Sequence, residues 1–254
     1  MAAHSDLPST WLLGVRIHLV TLGQAVDRVL ELIHSGGVHQ VVTLNGAMLA
    51  RASGDPGLRE TVNSASLATA DGAGVLLAGR ILGVRFPERV PGVDLVAHLF
   101  ARGADRPLRV FLLGARPGVA AAAGAALAKQ HRSIAVVGAD HGYFAAGAEA
   151  AVADRIRRAS PDVLLVAMGF PKQEEWIAAH RDSLGVPVAI GVGGTFDVLA
   201  GLSRRAPRWM QRAGLEWVYR LVQEPHRWRT AATIPLVVWL AVKERIAGRA
   251  GAAR

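Results

Sequence analysis

Apolar residues in this chain come in two rhythms. Short, mostly apolar runs cover 38–43, 108–113, 133–138, 162–168 and 186–192, several of them rich in valine and isoleucine. Between the runs, apolar residues recur every three or four positions, as at Val26, Val29, Leu30 and Ile33. The first rhythm belongs to strands buried on both faces, the second to helices packed along one side. Their alternation predicts an α/β, Rossmann-like fold: a largely parallel sheet with helices on both faces. In such sheets, ligands bind where the carboxyl ends of strands meet helix N-termini. The turns that follow the apolar runs are therefore the first place to look for chemistry.

Local punctuation supports these elements. Residues 11–20 read as a first strand or strand pair. Thr21 opens a helix with Gln24 three positions on, a capping box, and Gly36-Gly37 stops it. Asp55-Pro56 reads as an N-cap with proline at the first helical position. A small-residue strand at 66–70 ends in Asp71-Gly72-Ala73-Gly74, with a helix over 75–82. Residues 85–94 form a proline-rich loop, and 95–102 a helix. The later turns are Gly114 to Gly118, His141-Gly142-Tyr143-Phe144, Gly169-Phe170-Pro171 before a helix at 172–181, and Gly193-Gly194.

Charge divides the chain unevenly. Residues 204–254 hold 11 Lys/Arg and three Asp/Glu, a net +8, which leaves only +1 of the total +9 for residues 1–203. Within that end, 204–229 packs seven arginines and three of the six tryptophans into 26 residues. This predicts a nearly neutral body over 1–203 and a basic, aromatic appendage over 204–254 directed at an anionic partner. Three readings of the appendage stand: a core helix docked by a stripe of Leu215, Val218, Leu221 and Val222, a nucleic-acid grip, or a membrane-surface anchor. The apolar run 231–242 favours the membrane over nucleic acid. At about a dozen residues it is shorter than the roughly 20 needed to span a bilayer. The N-terminus lacks a basic region followed by a long apolar core, so no signal peptide is expected.

Composition removes several chemistries. The chain has no cysteine, which excludes disulfides, zinc–thiolate sites and thiol nucleophiles. It carries no Asp-x-Asp, HExxH, Gly-x-Ser-x-Gly or Walker motif, and its nine histidines are scattered, so no metal or cofactor is expected. Asp71 suits a general base, yet Asp-Gly is equally an ordinary turn or cap. Gly114 to Gly118 suits a phosphate-binding turn or a plain tight turn, with no acidic residue about 20 positions on to complete a dinucleotide fingerprint. Thr43 and Asn45 could orient a substrate or cap a helix, and Arg89 and Gln173 could face a ligand or solvent. A nucleotide-binding oxidoreductase built on the Gly114 turn, and a non-enzymatic adaptor built on the appendage, both stay open on these grounds.

One pattern spans nearly the whole chain. Thr43-Leu44-Asn45, Ala70-Asp71-Gly72-Ala73-Gly74, Glu88-Arg89-Val90, Phe111-Leu112-Leu113-Gly114, His141-Gly142-Tyr143-Phe144, Gly169-Phe170-Pro171-Lys172-Gln173-Glu174, Gly191 to Asp197 and Arg205-Ala206-Pro207-Arg208-Trp209-Met210 occur in this order. In these blocks the chain resembles the WecG/TagA/CpsF glycosyltransferases (family 26), from about Gly14 to Arg229. The resemblance implies transfer of a sugar (N-acetylmannosamine-type, glucose or related) from a UDP-sugar to an undecaprenyl-diphosphate-linked saccharide, with inversion and without a metal. It further implies a cytoplasmic enzyme held peripherally at the inner face of the cell membrane, with no nucleic-acid partner and with homo-oligomerisation left open. By the same resemblance Asp71 is the base that takes the acceptor proton. Thr43, Asn45, Arg89 and Gln173 are then substrate-pocket residues. Gly114, Gly193 and Gly194 are substrate-binding turn positions, and Arg205, Arg208 and Arg220 meet UDP or lipid phosphates. The chain departs from the family in having Leu44-Asn45-Gly46 where many members have Pro-Asn-Pro. Neither rival accounts for the ordered blocks in the body.

Overall fold

The computed structural model describes residues 7–145, 147–223, 228 and 232–252. In chain order its elements begin with β1 (Ser9–Leu12), β2 (Val15–His18), α1 (Leu22–His34), β3 (His39–Leu44), α2 (Gly46–Gly54), α3 (Pro56–Asn63), β4 (Leu67–Ala70), α4 (Ala73–Leu82) and α5 (Gly92–Arg102). They continue with β5 (Leu108–Gly114), α6 (Val119–Gln130), β6 (Ile134–Asp140), α7 (Glu149–Ala159), β7 (Val163–Ala167), α8 (Lys172–Leu184), β8 (Val188–Gly191) and α9 (Thr195–Leu199). The last three are α10 (Arg208–Arg212), α11 (Glu216–Gln223) and α12 (Thr233–Ala252). Two compact units result, each discontinuous in sequence. The first is Met1–Gln24, Leu44–Pro91 and Ala206–Arg254; the second is Ala25–Thr43 and Gly92–Arg205.

The second unit carries a run of parallel strands in the order β3-β8-β7-β5-β6. Their registers bring Val42 and Val166 to either side of Gly191, and Leu113 beside Val166. Every residue of β7 is buried, as a strand covered on both faces requires. Side chains alternate across the pleat. Phe111 and Leu113 join Val152, Ile156, Trp176 and Ile177 of α7 and α8 on one face. Leu112 turns the other way, towards α6, where Gly124 leaves room for it and for Val136. Each such fully buried leucine or isoleucine contributes roughly 1.5–3 kcal/mol. At the amino end of β7, Asp162 receives two hydrogen bonds from the Arg106 guanidinium, 2.6 and 2.8 Å, and one from Arg109 N–H at 2.8 Å. Burial pushes its carboxyl up, but these donors outweigh burial and hold it below the usual carboxylate range.

The first unit begins with the expected strand pair. β1 and β2 form an antiparallel hairpin whose two turn residues, Leu13 and Gly14, have φ of 51° and 76°. Positive φ at both central positions is the hairpin turn that matches strand twist. Further along, the N-termini of α2 and α4 touch through two glycines: a Cβ added at Gly74 would lie 3.2 Å from Gly46 Cα. Over this contact packs α12, with Ile234 beside Gly74 and Val237 beside Gly46. Val237 and Ala241 are fully buried, and Arg245 donates to the Ile81 carbonyl at the far end of α4.

The capping readings hold. Thr21 N–H donates to Gln24 Oε1 at 2.9 Å, and Asp55 Oδ1 accepts from Leu58 N–H at 3.1 Å. Residues 233–242 of the apolar run form the first half of a 20-residue helix, α12, whose second half is more charged; residue 231 lies outside the described residues. Among the described residues, no helix is long and apolar enough to cross a membrane. For the reading of α11 as a helix docked by an apolar stripe, the burial is mixed. Leu215 precedes the helix and Val222 is 76% exposed, while Glu216 is the buried residue at 7%. An ion pair described below ties this helix to Arg89, beside the half-buried Val218 and Leu221.

Gly74→Val is expected to force α2 and α4 apart and to disturb the bed of α12. A loss of about 1–3 kcal/mol in urea unfolding is the expected outcome, while the same substitution at Gly54, whose added Cβ meets nothing within 4 Å, should cost less.

Candidate active site

In the first unit, Asp71 stands one residue beyond β4 and its N–H donates to the Leu44 carbonyl at 2.8 Å. Gly72 follows with φ of 97°, a conformation that side chains other than glycine rarely adopt, and α4 starts at the next residue. The carboxylate is thus held at a strand's carboxyl end, beside the N-terminus of α4. Asn45 comes close to the same turn: its Cβ lies 3.9 Å from where a Gly72 Cβ would be. Its Oδ1 accepts from Met48 N–H at 3.1 Å, so the side chain caps α2. The cap fixes the Asn45 rotamer at the Asp71 turn.

The C-terminal segment packs against this same end of the unit. Gly214, with φ of 72°, sits beside Ala73, placing the turn between α10 and α11 on the start of α4. Arg89 Nη1 donates to Glu216 Oε2 at 2.8 Å, with both side chains largely buried. Breaking a buried pair on one side leaves an uncompensated charge, at a cost of roughly 3–5 kcal/mol. Arg208 begins α10 and is exposed, and Arg220 lies in α11.

In the second unit, the turns after β5, β6, β7 and β8 are tied to one another. Gly114 has φ of 135°, and a Cβ there would collide with the Ala167 carbonyl. Next to it, Ala115 N–H donates to that carbonyl at 2.7 Å, and Gly142 N–H donates to Ala115 O at 3.0 Å. Lys172 Nζ donates to the Gly142 carbonyl at 3.3 Å and lies 5.3 Å from the Phe144 ring centre. Gln173 joins two turns at one atom: its Oε1 accepts from Gly169 N–H at 3.2 Å and from Gly193 N–H at 3.1 Å. Its Nε2 donates to Glu174 Oε1 at 2.8 Å. Glu174 has no exposure, and burial raises its carboxyl from about 4.5 to about 7 despite the Gln173 hydrogen bond. Gly191 makes room for the pair, since a Cβ there would lie 2.7 Å from both Gln173 Nε2 and Glu174 Oε1.

The sequence-derived residues therefore fall in two groups. Asp71, Asn45 and Arg89 share the first unit with Arg208 and Arg220, and the first two meet at one turn. Thr43, Gly114, Gln173, Gly193, Gly194 and Arg205 belong to the second unit. Thr43 Oγ1 donates to Gly191 O at 3.2 Å and is buried against Gly92, so it braces β8 and the start of α5. Gly194 begins α9. Arg205 forms a forked pair with Asp94, with Nη2 to Oδ2 at 3.0 Å, which occupies part of a guanidinium expected to meet phosphate. Among the described residues, no three His, Asp or Glu side chains converge to hold a metal ion.

Reading the sequence residue by residue missed Glu216, Asp94, Glu174 and Gly191 as partners. The arginines that pair with Glu216 and Asp94 lie 127 and 111 positions away, beyond the reach of any local pattern. For Glu174, the one signal was its place directly after Gln173 in the block Gly169 to Glu174.

Comparison with known proteins adds a family. The sequence profile described as the glycosyl transferase WecG/TagA/CpsF family matches residues 10–251. An N-acetylglucosaminyldiphosphoundecaprenol N-acetyl-beta-D-mannosaminyltransferase of Bacillus subtilis (strain 168) is 33% identical over 204 residues, 80% of this chain and 79% of the relative. The protein of that name from Staphylococcus aureus (strain MW2) is 33% identical over 236 residues, covering 92% of each chain. A third, from Bacillus spizizenii, is 34% identical over 203 residues, 80% of this chain and 78% of the relative.

The Glu174 carboxyl links pH to stability. In the folded chain it keeps its proton up to about pH 7, whereas an unfolded chain releases it near 4.5. Stability from this group is full below about pH 4.5, falls as pH rises towards 7 and is flat above. Glu174→Gln removes the dependence, so the variant should exceed the parent in Tm at pH 8, by an amount corresponding to at most roughly 3–4 kcal/mol. Thermal melts of both proteins at pH 5 and pH 8 check this, and the gain should shrink at the lower pH.

Proposed function

Because the chain belongs to the WecG/TagA/CpsF family of glycosyl transferases, we propose that it moves an N-acetylmannosamine-type sugar from a UDP-sugar to an undecaprenyl-diphosphate-linked saccharide, with inversion. The acceptor class and the sugar come from the names of the relatives; glucose or a related sugar is the variant that donor assays would distinguish. The observation that carries the reading is the Asp71 turn: a carboxylate at the end of β4, ahead of a positive-φ glycine, with Asn45 beside it and the C-terminal segment packed against the same turn.

The transfer is a single displacement. The Asp71 carboxylate takes the proton from an acceptor hydroxyl as that oxygen bonds to the anomeric carbon, and the bond from that carbon to UDP breaks with its electrons leaving on the diphosphate. Charge on the departing diphosphate is met by arginine and by backbone N–H groups that need no reorganisation. Arg89 suits this task, because Glu216 accepts from one of its nitrogens and holds the guanidinium in place. Arg208 and Arg220 are further candidates in the C-terminal segment, and the N–H-rich turns at Gly114, Gly193 and Gly194 are candidates for donor binding.

A membrane-bound acceptor calls for a membrane-facing surface, and several features of the first unit support one at an anionic bilayer's inner face. Of the six tryptophans, five are exposed, namely Trp11, Trp209, Trp217, Trp228 and Trp239, and all belong to this unit. On α12, the exposed Pro235, Trp239, Val242 and Ile246 recur at helical spacing, away from the buried Val237 and Ala241. Lys243 lies 5.4 Å from the Trp239 ring centre, adding a cation beside the stripe. Tryptophan favours the bilayer interface, and each basic residue near an anionic surface contributes about 1 kcal/mol.

Asp71→Asn is expected to lower kcat by at least about 100-fold with an unchanged circular dichroism spectrum. Product mass after incubation with UDP-N-acetylmannosamine and a short-chain polyprenyl-diphosphate N-acetylglucosamine is the readout, and parent-like turnover would remove Asp71 as base. For the membrane surface, the full chain carrying Trp239→Glu and Ile246→Glu should lose most binding to phosphatidylglycerol-containing vesicles. Binding by the parent should weaken as salt rises; equal binding by the double variant would place the contact elsewhere.

A further inference from the structure

Directly below the turns at Gly169 and Gly193 lies a buried polar cluster that the transfer chemistry above does not use. Gln173 Oε1 closes both turns, but an amide can point either way, and a rotated one would aim N–H groups at N–H groups. One hydrogen bond fixes its direction: Nε2 to Glu174 Oε1 at 2.8 Å. Gln40 Nε2, on β3, donates to the Glu174 backbone carbonyl at 3.2 Å, so the helix start is itself pinned to a strand. Glu174 Oε2 and Gln40 Oε1 are both buried and have no hydrogen-bond partner among the described residues. Two buried acceptors in one cluster lack a donor, and a proton on Glu174 supplies one. A carboxyl raised to about 7 by burial is consistent with that.

We propose that Glu174 is a positioning residue for the transfer reaction: by anchoring Gln173 it sets the turns after β7 and β8 in the shape that receives the diphosphate of the donor. This rests on the glycosyl-transfer reading. Glu174 touches no substrate and acts through Gln173 alone. The protonated acid both accepts from Gln173 and keeps charge away from the turns. Its ionised form would put a negative charge beneath the turns proposed to receive an anionic ligand. The groups facing it from β3 and β8 are Gln40 and the Gly191 backbone, neither titratable, and the charge acting on it is Glu175 of its own helix.

Two variants separate positioning from simple packing. Glu174→Gln keeps the acceptor and the neutral shape; Glu174→Leu keeps the approximate volume without the acceptor. In Glu174→Leu, kcat/KM for the UDP-sugar should fall by about 10- to 100-fold, while Glu174→Gln stays within about 3-fold of the parent at pH 6.5. In the parent, KM for the donor should rise as pH goes from 6 to 8, and Glu174→Gln should flatten that rise. This profile decides the matter even if Glu174→Leu does not fold. Hydrogen exchange at the Gly169 and Gly193 amides, measured without ligand, should quicken in Glu174→Leu and not in Glu174→Gln. If the parent fails to bind UDP, the glycosyl-transfer reading falls, and the reaction role proposed for Glu174 falls with it; exchange then tests the anchoring alone. If the parent binds UDP but Glu174→Gln keeps the parent's pH profile, or is as impaired as Glu174→Leu, Glu174 does not position the turns.

Discussion

One oxygen atom ends two turns of the second unit. At the carboxyl edge of a parallel sheet, the chain must leave each strand in a sharp bend, and the N–H groups of those bends need acceptors once they are shielded from water. Gln173 Oε1 serves Gly169 and Gly193 together, both at positive φ. Other features follow from that need. Gly191 is glycine because the Gln173 and Glu174 side chains occupy the space a Cβ would take. Glu174 tolerates full burial because the Gln173 amide donates to it. The Ala115–Ala167 and Gly142–Ala115 hydrogen bonds extend the same tie across the turns after β5, β7 and β6, so the edge is held as a set.

The first unit rests on a different constraint, close approach. Two glycines let the N-termini of α2 and α4 touch, which brings both helix starts to the end where Asn45 and Asp71 stand. The same contact forms a shallow bed for Ile234 and Val237 of α12. The basic C-terminal segment is therefore packed against the unit that carries Asp71. The Arg89–Glu216 pair fastens α11 beside it, joining the sequence block that holds Arg89 to the one that holds Glu216.

Apolar burial in this unit is also selective. Val237 and Ala241 go inward, while Trp239 at 58% and Ile246 at 63% face out on the same helix. A helix apolar on two sides satisfies its own unit with one and offers the other. The membrane contact proposed above draws on that second side together with the net charge of +8 over 204–254.

The sequence by itself determined the alternation of strands and helices, the capping box at Thr21, the Asp55 cap, the glycine turns and the charge asymmetry. Each of these depends on neighbours within a few positions, so local periodicity and turn chemistry expose it. The ordered blocks went further and pointed to a glycosyltransferase family, which the comparisons then showed. Tertiary structure alone decided which charges are partnered. Arg89 and Arg205 read as ligand-seeking guanidiniums, yet Glu216 and Asp94 hold them from 127 and 111 positions away. It likewise decided that α11 buries a glutamate, Glu216, where its apolar pattern suggested leucine and valine. Burial of Glu174 beneath two turns was equally beyond local reading, since its surroundings come from β3, β7 and β8. Contacts set by chain neighbours are written in the sequence, and those made after the strands pair are set by the sheet that assembles them.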